Sequence, residues 1–447
     1  MHHRPAALLL TTALTLTLGL TACSSAPTAG PRDGAGAGSE SSPATAAPAP
    51  ATGSGDGDGH GAVAGAAEVA EPQLALTTID RSGTVTHLDL LDESVTTIGR
   101  TGEPHALTTD GRYLFAATDD GVEIVDSGVW TWDHIDHFHY YRAEPRLLGT
   151  VAGTGTGGTG TGTATVATTN LSTSGGTGLF FPESGEAVLL DTAALSRGEI
   201  AERFRMRTTP HAGMVVPLGS YALVTEPGPA SPPDPATASA VPADTVTAYT
   251  TEGEATGLAE PCPHAAGTIT TRVGAVIGCA DGALLATVAD DELVLERIPY
   301  PTGSTAPAAT SFDNREGRPT VAGLAGSDGI WMLDTRARSW SLLPAPTSLA
   351  AVTAVDDEEE HVLALSTDGR MLVIDGTDGS LLAQTEPLVA GSLAAGETPR
   401  LVADQQRAYL SGPSELMLWE IDFADDARIA RSFPTSTEPA FAAETGR

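Results

Sequence analysis

Beyond about residue 72 the apolar residues fall into short runs that alternate with polar positions or stand together, separated by Gly-containing turns. Val122-Glu123-Ile124-Val125-Asp126, Ala187-Val188-Leu189-Leu190-Asp191, Met371-Leu372-Val373-Ile374-Asp375 and Leu416-Met417-Leu418-Trp419-Glu420 are of one kind. A two-residue period sends successive side chains to opposite faces of a pleated strand, so these runs predict strands with at least one buried face. Helical spacing is rare. Residues 192–204 carry it best and read as an excursion between strands.

The runs repeat. Pro104-His105-Ala106-Leu107 opens one unit, Pro210-His211-Ala212-Gly213 another and Pro263-His264-Ala265 a third. Each start leads into a short alternating strand, a turn and a second strand. A third run, and often a fourth such as residues 339–343 or 380–384, completes the unit. Four short strands in units of roughly 40 to 50 residues are the signature of a β-propeller. Units start near Pro104, Thr163, Pro210, Pro263, Pro307, Leu349 and Pro399. Residues 73–97 supply strands two to four of a first unit, and Pro439-Ala440-Phe441-Ala442-Ala443 its missing inner strand. The expected fold is all-β, a single propeller of eight blades over residues 72–447. Pairing the carboxyl-terminal strand with the first blade would close the ring and leave no open edge. Seven blades is the alternative, because a Gly/Thr-rich run at 153–162 disrupts one unit.

The amino end has a different pattern. His2, His3 and Arg4 precede an apolar run at 6–20 and then Leu20-Thr21-Ala22-Cys23, so residues 1–22 have the layout of a signal peptide. The last four residues resemble a bacterial lipobox, in which the cysteine is lipidated on its thiol and becomes the first residue of the mature chain. The apolar run is too short for a stable membrane span. The expectation is an exported protein, anchored by acyl chains on Cys23 to the outer face of the cell membrane. Residues 23–71 are mostly Ala, Gly, Ser, Pro and Thr without apolar period and read as a flexible tether. Its Asp56-Gly57-Asp58-Gly59-His60 stretch is read as solvated linker, with a weak metal contact as the alternative. Cys262 and Cys279 remain, and in an exported protein such a pair suggests a disulfide. Their spacing suits neighbouring strands joined by a turn at Arg272-Val273-Gly274; metal ligation is the alternative, without C-x-x-C spacing.

Charge narrows the partners. A formal net charge of −34, from 57 acidic against 23 basic residues, repels phosphate backbones and argues against nucleic acid. It attracts cations without selectivity, so acidity alone points to no particular metal. A sharper signal is residues 130–141, Trp-Thr-Trp-Asp-His-Ile-Asp-His-Phe-His-Tyr-Tyr. His134, His137 and His139 lie there among Asp133 and Asp136, with aromatic flanks. Neutral imidazole is a strong ligand for zinc and copper, and a nearby carboxylate binds the metal or orients a ring. In a propeller the inner strands line a channel, so His105, His211 and His264, all just after a proline, are expected on one arc of its mouth. The 130–141 insertion, folded over that mouth, would bring His137 and His139 toward His105. His87 and His361 read as structural or solvated, and the acidic run 356–360 as a solvated turn.

At these residues the chain resembles the AztD family of periplasmic zinc metallochaperones that accompany zinc ABC importers. The resemblance spans the propeller from about residue 73 and is most specific at 133–141, with the Pro-His starts as support. It implies Zn(II) held by histidines and passed to the importer's solute-binding protein, with no enzymatic reaction. Two departures stand out. Thr163-Ala164-Thr165-Val166 lacks a further His, and Phe180-Phe181-Pro182-Glu183 lacks an Asp after the aromatic pair. The expected ligands are His137 and His139 with some of His105, His211 and His264, and with His134, Asp133 and Asp136 as alternates. The expected state is a monomer. A propeller enzyme, such as a zinc hydrolase, and a metal-free interaction scaffold are the competing readings; copper and nickel also suit imidazole.

Overall fold

The computed structural model describes residues 61–133, 137–153, 164–228, 241–327 and 329–447, all within one compact unit, Gly57–Arg447. Residues 1–22, Cys23, the 56–60 stretch, His134 and Asp136 lie outside the described residues. The chain is all-β. Its first strands are β1 (Ala67–Val69), β2 (Ala75–Ile79), β3 (Thr84–Asp89), β4 (Val95–Arg100), β5 (Pro104–Thr109), β6 (Tyr113–Thr118) and β7 (Gly121–Asp126). A hairpin of β8 (Val129–Asp133) and β9 (Phe138–Arg142) follows, and then β10 (Arg146–Val151).

Among the described residues, eight antiparallel sheets follow one another along the chain, seven of four strands and one of three. The first is β2, β3 and β4 completed by the distant strand Phe441–Thr445, which pairs with β2 from Ala75↔Thr445 to Ile79↔Phe441. The second is β5, β6, β7 and β10; the hairpin β8–β9 is inserted between its last two strands and joins β1 in a separate sheet, order β1-β9-β8. The three-stranded sheet starts at Thr320, well after the start read near Pro307. Pro307 serves that sheet differently: its carbonyl accepts the Trp331 Nε1 proton at 2.8 Å.

The two-residue period explains the core. On β6, Leu114 and Ala116 face the first sheet and pack with Ile79, Val85 and Ala443. Tyr113 and Phe115, one position out of phase, face the third sheet and meet Leu179, Phe181 and Val188. Similar clusters join each sheet to the next, and Leu76 and Leu88 of the first pack on Tyr409, Leu418 and Phe433 of the last. The helix read over 192–204 shrinks to Thr192–Ser196. Asp191 caps it by accepting the Ala193 amide at 2.9 Å, and Gly198, at φ +81°, follows its end. The chain then returns to strand at Glu202–Arg207. Cys262 and Cys279 form a disulfide. It joins the outer strand Ala255–Ala265 of the fourth sheet to Ala275–Cys279 of the fifth, and does not bridge the two strands flanking the 272–274 turn.

Candidate metal site

The hairpin rises from a fixed base. Trp130 and Tyr141 are cross-strand partners with rings stacked at 5.2 Å. The Arg112 guanidinium lies 3.7 Å from the Trp130 ring. It is itself buried and holds Asp126 through two bonds of 2.9 Å. That bidentate pair answers the charge, and the aromatic face adds a cation–π contact. Arg142, at the end of β9, donates to Asp89 Oδ2 and Gln73 Oε1 at 3.0 Å. Thr131 is tied to the chain's end, its amide to the Arg447 carbonyl at 3.0 Å and its hydroxyl to that of Gly446 at 2.7 Å.

Strand geometry then gathers the histidines. Residues two apart on β9 share a face, so His139 follows Tyr141 on that side, with His137 just beyond the strand. The His137 and His139 rings stand 4.7 Å apart, edge to face, and His139 lies 6.3 Å from Tyr141. Burial falls toward the tip: Tyr141 is buried, His139 half-buried and His137 exposed. A carboxylate joins them from an unexpected place. Glu68 Oε1 is 2.7 Å from His139 Nδ1. Glu68 belongs to β1, which pairs with β9 over Ala67↔Arg142, Glu68↔Tyr141 and Val69↔Tyr140. Gly61 also docks here: its carbonyl accepts the Trp130 Nε1 proton at 3.2 Å, and a Cβ on it would sit 2.7 Å from the Trp132 ring. Gly61 and Ala67–Val69, in a stretch read as the end of a flexible tether, are thus seated on the hairpin. The short alternating run Ala67-Glu68-Val69 was the available signal, hidden by the low-complexity sequence before it. Asp133, at the end of β8, pairs with Arg272 at 3.3 Å.

The Pro-His histidines do not join this group. In the second sheet Pro104 is level with Thr118, and Thr118 with Gly121, while Thr109 is level with Leu114 and Asp126 with Tyr113. His105 therefore stands at one end of the sheet, and the hairpin, which leaves after Asp126, at the other. The separation is a strand's length, on the order of 16–20 Å. His105 lines a cavity with Arg81 and Arg400, and its Nε2 pairs with Asp119 at 2.6 Å. Thr131, Trp132, Asp133, Phe138 and Tyr140 line a different one, of about 1140 Å³. His211 precedes its inner strand, Val215–Leu218, and is fully buried. Its Nδ1 is 2.7 Å from the Thr209 carbonyl, its Nε2 is 3.2 Å from Thr225 Oγ1, and Phe180 packs against its ring at 4.6 Å. Burial pushes its pKa down. Its ring is a structural pin. His264 sits near the end of an outer strand, exposed and at φ +52°, its amide donating to Asp244 Oδ1 at 3.1 Å. The insertion therefore does not bring His137 and His139 toward His105, and His211 and His264 are held by contacts of their own.

Among the described residues, one set of three candidate ligands has its donor atoms within 4.8 Å of one another: Asp357, Glu359 and His361. The run read as a solvated turn folds back on itself. Asp357 accepts the His361 amide at 2.8 Å and pairs with its Nδ1 at 2.6 Å. The imidazole also packs edge-on against Phe423. Asp356 next to it is answered by Arg318 and Arg336, at 2.9 Å each. His87 is buried, with Nδ1 2.9 Å from Thr77 Oγ1, and burial pushes its pKa down to about 4.

No known protein-family profile matches the chain. Among curated proteins, the zinc chaperone AztD of Citrobacter koseri is 24% identical over 309 residues, 67% of this chain and 68% of that protein. The crystal structure of Citrobacter koseri AztD superposes with a TM-score of 0.70 at 21% identity, covering 84% of this chain and 99% of the other. The apo form gives 0.69 at 20% identity over the same shares. The chain shares that fold, and it resembles the same relative to which the 133–141 stretch pointed. That relative is named a chaperone and not an enzyme.

Proposed function

We propose that this chain is an extracytoplasmic zinc chaperone, lipid-anchored through Cys23, that passes Zn(II) to the solute-binding protein of a zinc ABC importer. The cargo is held on the β8–β9 hairpin. The observation that carries this reading is the pair of imidazoles at 4.7 Å, with the Glu68 carboxylate 2.7 Å from one of them. Zinc takes imidazole nitrogen at about 2.0–2.1 Å in a tetrahedral shell, and a metal-bound histidine commonly donates its other N–H to a carboxylate. His137 and His139 are the first two ligands. His134, on the same hairpin by sequence, is the next candidate. The sheet succession and the TM-score of 0.70 to a zinc chaperone support reading the eight sheets as blades of one propeller closed by Phe441–Thr445.

The hairpin suits a carrier. Its base is braced by Arg112, Trp130 and Arg142, while His137 is exposed toward the tip. A partner's ligands can replace His137 first and His139 second, so the ion never passes through the fully aquated state. The acidic group Asp357, Glu359 and His361 is a second place where a cation would lodge, carboxylate-rich and so less selective for zinc. Titration of the purified chain with Zn(II), Cu(II) and Ni(II) tests the reading, with His137→Ala/His139→Ala and His361→Ala alongside. Loss of the tightest zinc binding in the hairpin variant, with His361→Ala unchanged, is expected. Wild-type affinity in the hairpin variant would sink it.

A further inference from the structure

We propose that Glu68 is the positioning residue of the hairpin metal site, and that β1, which carries it, is a detachable clamp on the ion. The inference rests on the zinc reading above. A carboxylate only accepts hydrogen bonds, so His139 Nδ1 is the donor in its 2.7 Å contact with Glu68. A neutral ring with its proton on Nδ1 carries its lone pair on Nε2, the form that binds a metal there. Glu68 thus selects the tautomer and fixes the ring plane, and its charge favours a cation nearby.

The strand that delivers this carboxylate is lightly attached. β1 is three residues long and lies at the edge of its sheet, paired among the described residues with β9 alone. Ala67 and Glu68 are exposed and Val69 is half-buried, so no apolar side chain anchors it deeply. Its second attachment is Gly61, seated against Trp132 and bonded to Trp130. The β8–β9 pair has separate supports: the Trp130–Tyr141 stack, the Arg112 contact and the Arg142 bonds. Peeling β1 from β9 therefore removes Glu68 without dismantling the hairpin. Docked, the strand holds His139 ready for the ion. Lifted, it takes away the carboxylate that fixes the Nδ1 proton, and the ion leaves faster. The chain before β1 is the segment read as a tether, so whatever pulls on or covers that segment acts on the ion.

The test uses the full chain, Zn(II) alone and a chromophoric chelator as acceptor. Glu68→Ala should weaken zinc binding about 10- to 100-fold, the usual effect of losing a carboxylate behind a metal-bound histidine, and speed loss to the chelator. Glu68→Gln, whose amide oxygen still accepts, should recover part of both. Long-range proton–nitrogen spectra of the metal-free chain should place the His139 proton on Nδ1 in wild type and show a weaker Nδ1 preference in Glu68→Ala. Gly61→Ala, strained at φ +73° and colliding with Trp132, should lift the segment and weaken zinc in the same direction. Added to Glu68→Ala it should cause no further loss, because both act through one contact. A Glu68→Ala chain with wild-type affinity, release rate and tautomer overturns the positioning role. Full additivity with Gly61→Ala overturns the clamp. If His137→Ala/His139→Ala also binds zinc like wild type, the underlying zinc reading has failed instead.

Discussion

Histidines of one chain divide by how deeply they are buried and by what surrounds their rings. His211 has both nitrogens beside protein oxygens and is buried, whereas His137 is exposed beside a second imidazole. Sequence spacing could not show this for His211, since its Pro-His-Ala setting says nothing of what surrounds the ring. His87 gives the clearest pH prediction. Its folded pKa of about 4 lies below the ordinary 6.5, because burial disfavours the imidazolium. The unfolded chain therefore binds the proton more readily. The stability is present above pH 6.5 and is lost as pH falls toward 4, by about 3 kcal/mol in all. Two buried acids work the other way. Burial raises Asp110 to about 7 and Glu444 to about 8, so their share of stability falls as pH rises from the ordinary carboxyl range toward those values. Comparing thermal unfolding of wild type and His87→Gln between pH 7.5 and 4.5 isolates the first effect, and the variant should lose less stability on acidification. Parallel curves would refute it.

At the scale of elements, strands with an apolar period were legible and strands without one were not. β6, β7 and the run 371–375 announce themselves because alternate side chains enter two different cores. β1 is ordered by what it pairs with, and its own residues carry almost no hydrophobic signal. The 130–141 stretch was read as an insertion loop, yet Trp-Thr-Trp and His-Tyr-Tyr already alternate between faces. Its order depends on Trp130. Truncating a buried Trp to Ala costs about 3–5 kcal/mol, and here it also strips the ring from the Arg112 guanidinium. Trp130→Phe keeps the stack on Tyr141 and loses the bond to Gly61, worth about 1 kcal/mol. Denaturant unfolding should rank wild type, Trp130→Phe and Trp130→Ala in that order, with zinc affinity falling in the same order. An unchanged midpoint for Trp130→Ala would show that the base is not held as described. The disulfide is a separate link between the fourth and fifth sheets, and Cys262→Ser/Cys279→Ser should cost about 2–4 kcal/mol by the same measurement.

Across the whole molecule, a strand near the start of the described region and the last strand of the chain share one sheet. The pairing of the last run with the first unit was readable, because that unit's first run lacked an inner neighbour and the chain's last run lacked a sheet; the strand itself lies two residues later than 439–443, at Phe441–Thr445. What could not be read is how much else those final residues hold. Phe441–Thr445 covers the β2 edge in five consecutive pairs. Arg447 approaches Glu444 at 3.0 Å and Glu316 at 3.6 Å, and its carbonyl and that of Gly446 hold Thr131 of the hairpin. Deleting residues 439–447 should therefore do two things at once. It bares a strand edge of five residues in the first sheet, which invites pairing with other chains. It also removes the tie between hairpin and body, so zinc binding should weaken even in molecules that stay folded. Size-exclusion chromatography should show the truncated chain self-associating, and calorimetry should show a lower, broader unfolding transition. A synthetic peptide of residues 439–447, added in excess, should reverse the self-association by filling the vacant edge, with a midpoint that rises with peptide concentration. A truncated chain that elutes and melts as wild type and ignores the peptide would mean that the last strand is a passenger and that the sheets hold their order without it.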